Sequence, residues 1–293
     1  SGDMLEPGQV SKLALDDSVA FRVEFAGSPP PPSFLYWRGP VFENFDGSRW
    51  LPASRTRQAA PSITAHGKVV DYTLTLEPHQ QRWLLALDMP TRWPSGSVFG
   101  SRLELLSLQP VHQPRRYSLQ SALAWKIEND PLVRTSSQLP PSGNPRTHVL
   151  ADDWKSLPPT QRISAALSWL RSNDFVYTLE PPLLTSSDPI DEFLFTSRQG
   201  FCEHFASSFA YLMRAAGVPA RIVTGYQGGS WNKAGNYLIV RQADAHAWVE
   251  VWLDGQGWQR IDPTAAVAPQ RISQGLSASV PQGDTLPLML RSE

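Results

Sequence analysis

Apolar and polar residues alternate with period two along several stretches of the first 125 residues. Val19 to Phe25 reads Val-Ala-Phe-Arg-Val-Glu-Phe, and Val70 to Leu76 and Arg116 to Leu123 repeat the pattern. Strict alternation sends successive side chains to opposite faces of a strand. Trp83 to Leu87 is a shorter apolar run, and Phe45-Asp46-Gly47 is a turn signal. The pattern predicts a mostly β N-terminal domain over residues 1–125, a small sandwich or barrel with several hairpins.

Residues 126–154 are polar and proline-rich and mark a boundary. The period then changes. Ile163, Ala166, Leu167 and Leu170 fall on one helical face, with Thr160 as a candidate N-cap. Asp188 to Phe195 is a second, shorter candidate helix. The strongest helix starts near Phe201: Cys202, Phe205, Ala206, Phe209, Met213 and Ala216 keep the helical spacing. Gly217 supplies the stop and Pro219 forbids continuation. Three β-like runs follow, at Ala220 to Tyr226, Asn236 to Arg241 and His246 to Leu253. Asp254-Gly255-Gln256-Gly257 is a tight turn, which predicts a hairpin into Trp258 to Asp262. Residues 155–264 therefore read as an α+β core. Residues 265–293, rich in Ser, Gln and Pro, read as an extended C-terminal tail.

Composition narrows the class. Of 293 residues, 41% are hydrophobic and 18% charged, which fits a folded globular chain. A net charge of −1 gives nucleic acid no electrostatic footprint to bind. The prolines cluster at Pro29 to Pro32, Pro140-Pro141, Pro158-Pro159 and Pro181-Pro182, as in extended connections. A single cysteine forms no internal disulfide and so does not identify the compartment. No apolar stretch is long enough to span a bilayer. Ser1-Gly2-Asp3 does not open a signal peptide, and the chain reads as a soluble fragment of something longer.

That single cysteine carries the chemistry. Cys202 follows Gly200 at the first turn of the strongest helix, His246 opens a strand, and Asp262 ends the hairpin. A thiol becomes a nucleophile when an imidazole takes its proton and a carboxylate fixes the imidazole's tautomer. A helix N-terminus also favours the thiolate. The expectation is Cys202 as nucleophile, His246 as base and Asp262 as orienting carboxylate, with a reactive thiolate at neutral pH. Against it stands the plainer role of a small buried core cysteine. His204 is a rival base, but two residues from Cys202 on a helix it points about 200° away. Asp244 and Asp254 are rival carboxylates, one too close to His246 along the strand and the other in the turn. The Cys202 backbone N–H is the first oxyanion donor. Gln199 or an indole N–H are weak candidates for the second. There is no zinc-hydrolase spacing, nucleophile elbow, dinucleotide loop or phosphate loop, and the three residues need no metal or organic cofactor.

The blocks Gly200-Phe201-Cys202-Glu203-His204-Phe205-Ala206, Leu212 to Arg221, Gly225-Tyr226, His246 to Trp252 and Gly257 to Thr264 closely resemble the transglutaminase-like superfamily core. Leu35-Tyr36-Trp37-Arg38-Gly39-Pro40 and Phe45-Asp46-Gly47-Ser48-Arg49-Trp50 resemble bacterial TgpA-type membrane proteins. The resemblance implies a papain-like α+β fold and gives Cys202, His246 and Asp262 the roles above. It implies the soluble periplasmic portion of a multi-pass inner-membrane protein. It also implies protein-glutamine γ-glutamyl transfer in the cell envelope, on a Gln-bearing protein or peptide with an amine acceptor. A cysteine peptidase or amidase on periplasmic or peptidoglycan-linked peptides is the alternative, and a binding module for an envelope partner is a second. Phe175 to Leu184, with Tyr177, is a candidate lining of the cleft.

Overall fold

The computed structural model describes residues 5, 9–52, 60–131, 133–276, 278–281 and 284. Thirteen strands and six helices carry the argument. The strands are β1 (Val19–Phe25), β2 (Tyr36–Phe42), β3 (Ile63–Leu76), β4 (Ala86–Leu87), β5 (Met89–Arg92), β6 (Arg115–Ile127), β7 (Val176–Tyr177), β8 (Gln199–Gly200), β9 (Ala220–Gln227), β10 (Ser230–Asn232), β11 (Tyr237–Arg241), β12 (Ala245–Leu253) and β13 (Gly257–Ile261). The helices are α1 (Gln9–Leu13), α2 (Pro145–Asp152), α3 (Pro159–Arg171), α4 (Cys202–Ala215), α5 (Thr264–Val267) and α6 (Pro269–Ser273).

Two antiparallel sheets and a helical layer stack in order. The outer sheet has six strands, β10-β11-β1-β3-β6-β5, and the central sheet has five, β13-β12-β9-β2-β4. Phe21, Val23, Tyr72, Leu74, Tyr117, Leu119 and Val240 of the outer sheet share one core with Trp37, Leu87, Trp252 and Trp258 of the central sheet. On the opposite face, Phe42, Ile222, Ala247, Val249 and Val251 pack against Phe205, Phe209, Leu212 and Met213 of α4. Every residue of β12 is buried as a result. Its two polar residues, His246 and Glu250, are buried with the rest and take their partners from inside the protein.

The N-terminal region is mostly β, but it is not self-contained. Strands β2 and β4 leave it to join the central sheet, and β10 and β11 from the second half extend the outer sheet. The expectation of a separate sandwich before residue 126 is corrected by this exchange. Local alternation marks a strand without naming its long-range partner. The helix read from Thr160 begins at Pro159, with Pro158 rather than Thr160 at the N-cap position and no side-chain capping bond. The shorter candidate is a turn of helix at Pro189–Glu192 that continues as π-helix over Phe193–Ser197. The extended tail is also corrected at its start, where α5 and α6 form and Arg271 is fully buried.

Helix α4 ends as its sequence dictates. Gly217 takes φ +79°, and Val218 N–H bonds the Met213 carbonyl. Every α4 residue except Ser207 is buried, which is the pattern of an interior helix.

A buried ion cluster ties the central sheet together. Both guanidinium ends of Arg38 on β2 bond the two oxygens of Glu250 on β12. Arg221 on β9 donates to Glu250 Oε2 at 2.9 Å and approaches Glu43 Oε1 at 3.4 Å. Arg221 also lies 3.9 Å over the Trp258 ring. Burial pushes the Glu250 carboxyl up, but Arg38 and Arg221 together hold it at about 2.

Glu250→Gln should cost about 3–5 kcal/mol in urea unfolding, because buried Arg38 loses its counter-charge and Arg221 keeps only the longer contacts to Glu43 and Asp130. Unfolded, Glu250 protonates near pH ~4.3; folded, it stays ionised to about 2. Its stabilisation is therefore complete above the first value and lost as pH falls toward the second. The acid limb of a Tm-versus-pH curve should be shallower in the variant.

Candidate active site

The segment before α4 leaves no room for adjustment. Strand β8 pairs in parallel with β7, Tyr177 opposite Gly200. A Cβ on Gly200 would lie 2.6 Å from Phe193 Cε2 and 2.7 Å from His204 Cβ, so only glycine fits. Phe201 is extended (φ −104°, ψ 178°) and stacks on Tyr177 with ring centroids 4.9 Å apart. Cys202 is then the first helical residue. His204 turns back toward the chain, and its Nδ1 accepts the Phe201 N–H at 3.2 Å. Burial pushes the His204 pKa down to about 4, so the ring is neutral and occupied. This geometry matches its reading as packing rather than base.

His246 enters from β12 opposite Gly225 of β9. A Cβ on Gly225 would lie 1.9 Å from the Trp37 carbonyl oxygen, which explains a glycine inside this strand. His246 Nε2 bonds Asp262 Oδ2 at 2.8 Å. The same oxygen accepts the Tyr36 hydroxyl at 2.7 Å, and Oδ1 accepts the Thr264 N–H at 3.0 Å. An ionised carboxylate only accepts, so the imidazole proton sits on Nε2 and Nδ1 carries the lone pair. That Nδ1 is buried and makes no hydrogen bond. Trp248 lies nearly parallel to the imidazole, 6.4 Å away centroid to centroid, and the Tyr36 ring lies 6.3 Å from the imidazole and packs edge-on against Trp248.

The thiol comes to the same place by a different route. Cys202 is fully buried, and the backbone N–H of Ala247, the residue after His246, favours a negative charge on its sulfur. The three predicted residues thus converge, with Nδ1 of the imidazole left open and no direct thiol–imidazole hydrogen bond. The rival carboxylates face elsewhere: Asp244 accepts the Arg241 N–H at 2.9 Å, and Asp254 accepts the Trp252 indole at 2.9 Å. Gln199 is exposed, and the indoles of Trp37, Trp50, Trp252 and Trp258 are bonded to other partners.

Burial decides the charge state. It pushes the Cys202 thiol well up, with Glu203 adding to the rise, and the Arg271 charge and the Ala247 N–H oppose it without overcoming it. Burial also lowers His246 against the pull of Asp262. The carboxyl of Asp262 is raised by burial, but His246 and Tyr36 outweigh this and hold it below its ordinary value. The resting pair at neutral pH is therefore thiol and neutral imidazole beside an ionised Asp262. Both directions run against the expected resting thiolate, since complete desolvation opposes the helix N-terminus.

Two site residues lay outside the sequence-based set. Tyr36 belongs to the first-half strand β2 and was visible only within a family-like block. Arg271 lay in the presumed tail, and nothing in its local sequence marks it. Tyr177, a candidate cleft residue, stacks on Phe201, the chain neighbour of Cys202.

Comparison with known proteins agrees in both halves. Residues 1–125 match the TgpA N-terminal domain, and residues 150–263 match the transglutaminase-like superfamily. A protein-glutamine gamma-glutamyltransferase of Pseudomonas aeruginosa is 42% identical over 284 residues, covering 95% of this chain. The chain spans 42% of that relative's length. An uncharacterized Bacillus subtilis protein, YebA, is 38% identical over 109 residues, 35% of this chain and 15% of its own length. The crystal structure of the periplasmic domain of TgpA from P. aeruginosa superposes with a TM-score of 0.90 at 41% identity, covering 96% of this chain and 99% of that one.

Because Cys202 is desolvated and neutral, iodoacetamide should modify it more slowly at pH 7 than it modifies an unfolded control peptide containing the same cysteine. Mild denaturant should raise the rate well before global unfolding is complete. A native rate equal to the peptide's would contradict the closed site.

Proposed function

We infer the reaction from one premise: this chain belongs to the transglutaminase-like superfamily, in its TgpA-type branch. The proposed activity is cysteine-dependent acyl transfer from a glutamine side chain of a protein or peptide to a primary amine. The observation that carries it is the convergence of a buried thiol and an imidazole whose Nε2 is fixed on Asp262 and whose Nδ1 is free.

In this reading Cys202 attacks the γ-amide carbon as His246 Nδ1 takes the thiol proton. Proton transfer and attack proceed together, because the resting thiol is neutral. Negative charge builds on the amide oxygen, within reach of the Cys202 N–H at the start of α4. The imidazolium, held by Asp262, then delivers its proton to the departing nitrogen, and ammonia leaves a thioester. An incoming amine gives its proton to His246 and takes the acyl group, restoring the thiol. Tyr36 acts through Asp262, keeping the carboxylate oriented toward the imidazole. The complete burial of Cys202 supports transfer over hydrolysis, since a thioester formed there is shielded from bulk water.

The proposed setting is the periplasmic face of a bacterial inner membrane, by likeness to a structure described as a periplasmic domain. No helix among the described residues is long and apolar enough to cross a membrane. On this reading the remaining length of the longer protein carries the membrane-spanning segments.

The test is a paired assay of wild type and Cys202→Ala. Incorporation of a labelled primary amine into a glutamine-bearing protein should occur and vanish in the variant. Cysteine-dependent cleavage or ammonia release without incorporation would instead make the site a hydrolase. Asp262→Asn should lower kcat by about 10³–10⁴-fold by spoiling the tautomer, with the substrate KM nearly unchanged.

A further inference from the structure

Arg271 is a fully buried cation whose counter-charge is not supplied by an ion pair. It stands on α6, beyond Pro263 where the superfamily match ends. Among the described residues no carboxylate lies within ion-pairing distance of its guanidinium. Nη1 donates to Gln227 Oε1 at 3.0 Å, and Nη2 donates to the Asp244 carbonyl at 3.2 Å and the Ala245 carbonyl at 3.4 Å. These neutral partners hold the group in place without cancelling its charge. Gln227 is itself fixed, its amide bonded to the Pro32 and Ile272 carbonyls.

What the guanidinium faces is the candidate site. Its bond to the Ala245 carbonyl places it beside the residue that precedes His246, and Tyr177, Asp244, Cys202 and Asp262 all act on its charge and hold it despite burial. Its Nε is buried without a hydrogen bond. The Tyr177 hydroxyl lies against it, also without a well-formed hydrogen bond. Two more charged groups bear on the thiol from its own surroundings: Glu203 from α4 and Asp262 from the end of β13 both resist a negative sulfur. Arg271 is the cation that opposes them. The other nearby cation, Arg260, is committed to Asp88 at 3.0 Å and to the Tyr36 ring.

We propose that Arg271 is a positioning residue for the reaction: a fixed positive charge that balances the negative charge appearing on Cys202. The inference rests on the acyl-transfer reading and adds the group that makes it electrostatically feasible. Asp262 must be an anion to orient His246, and the same anion, with Glu203, penalises a thiolate next door. A buried cation beside the site offsets one of these two charges without needing to move. Gln227 and the two carbonyls keep it from collapsing onto Asp262 as a closed ion pair, so its field remains available to the sulfur.

The test uses iodoacetamide modification of Cys202 in the intact chain, with no substrate present. Arg271→Gln should slow alkylation at neutral pH by about tenfold or more, since a nearby opposite charge shifts a titrating group by about 1–3 units. Arg271→Lys, which keeps the charge, should recover most of the rate. Arg271→Met, which buries no new polar group, is read in the same way if Arg271→Gln fails to fold by circular dichroism. In the amine-incorporation assay kcat should fall with alkylation, with KM for the glutamine substrate unchanged.

A merely structural Arg271 gives the opposite sign. Loosening α6 would expose the thiol, and alkylation would speed up in the variants. A faster or unchanged rate in folded Arg271→Gln or Arg271→Met overturns the proposal. Absence of Cys202-dependent amine incorporation in the wild type would overturn the transferase reading alone, because alkylation reports the thiol's electrostatics without any acyl acceptor.

Discussion

Strand β12 has no exposed residue, and that constraint organises the molecule. A strand in the middle of three layers must satisfy whatever polar groups it carries from inside the protein. Ala245, Ala247, Val249 and Val251 need only the α4 layer. His246 and Glu250 need partners of their own. Glu250 obtains Arg38 and Arg221 from the two strands beyond it, which draws β2 of the first half into the central sheet. His246 obtains Asp262 from the hairpin partner β13. One buried strand thus accounts for both the shared sheet and the orientation of the candidate base.

The same burial sets the chemistry. In water a cysteine beside a histidine can rest as an ion pair, but here desolvation pushes the thiol up and the imidazole down. The resting site stores a neutral pair beside two fixed charges, Asp262 and Arg271. Charge separation is deferred to the moment of attack, where preorganised groups gain most from the low dielectric. Tyr36, Thr264 and Gln227 hold those fixed charges in position. They come from the first half, the hairpin end and the β9 terminus, so the site is assembled by the whole fold.

Much of the local structure was legible because local forces set it. The alternation of Val19 to Phe25 became β1, and the helical spacing from Cys202, stopped by Gly217, became α4. The turn at Asp254 to Gly257 fixed the register that aligns Val249 with Ile261 and carries Asp262 toward His246. Where the reading failed, the deciding contact was remote in sequence. The residues after Asp262 folded as α5 and α6, where Arg271 reaches a buried pocket of carbonyls on Asp244 and Ala245.

The sequence by itself determined the α+β class, the order of the main elements and the hairpin that carries Asp262 toward His246. Each of these follows from periodicity, turn chemistry and spacing within a few tens of residues. Only the tertiary structure decided that β2 and β4 join the central sheet, that Tyr36 grips Asp262, that Arg271 faces the thiol, and that Cys202 is closed off from water. Those depend on which distant surfaces bury one another. Burial is a property of the assembled layers, and it outweighs the local helix-terminus field in setting the charge on the sulfur.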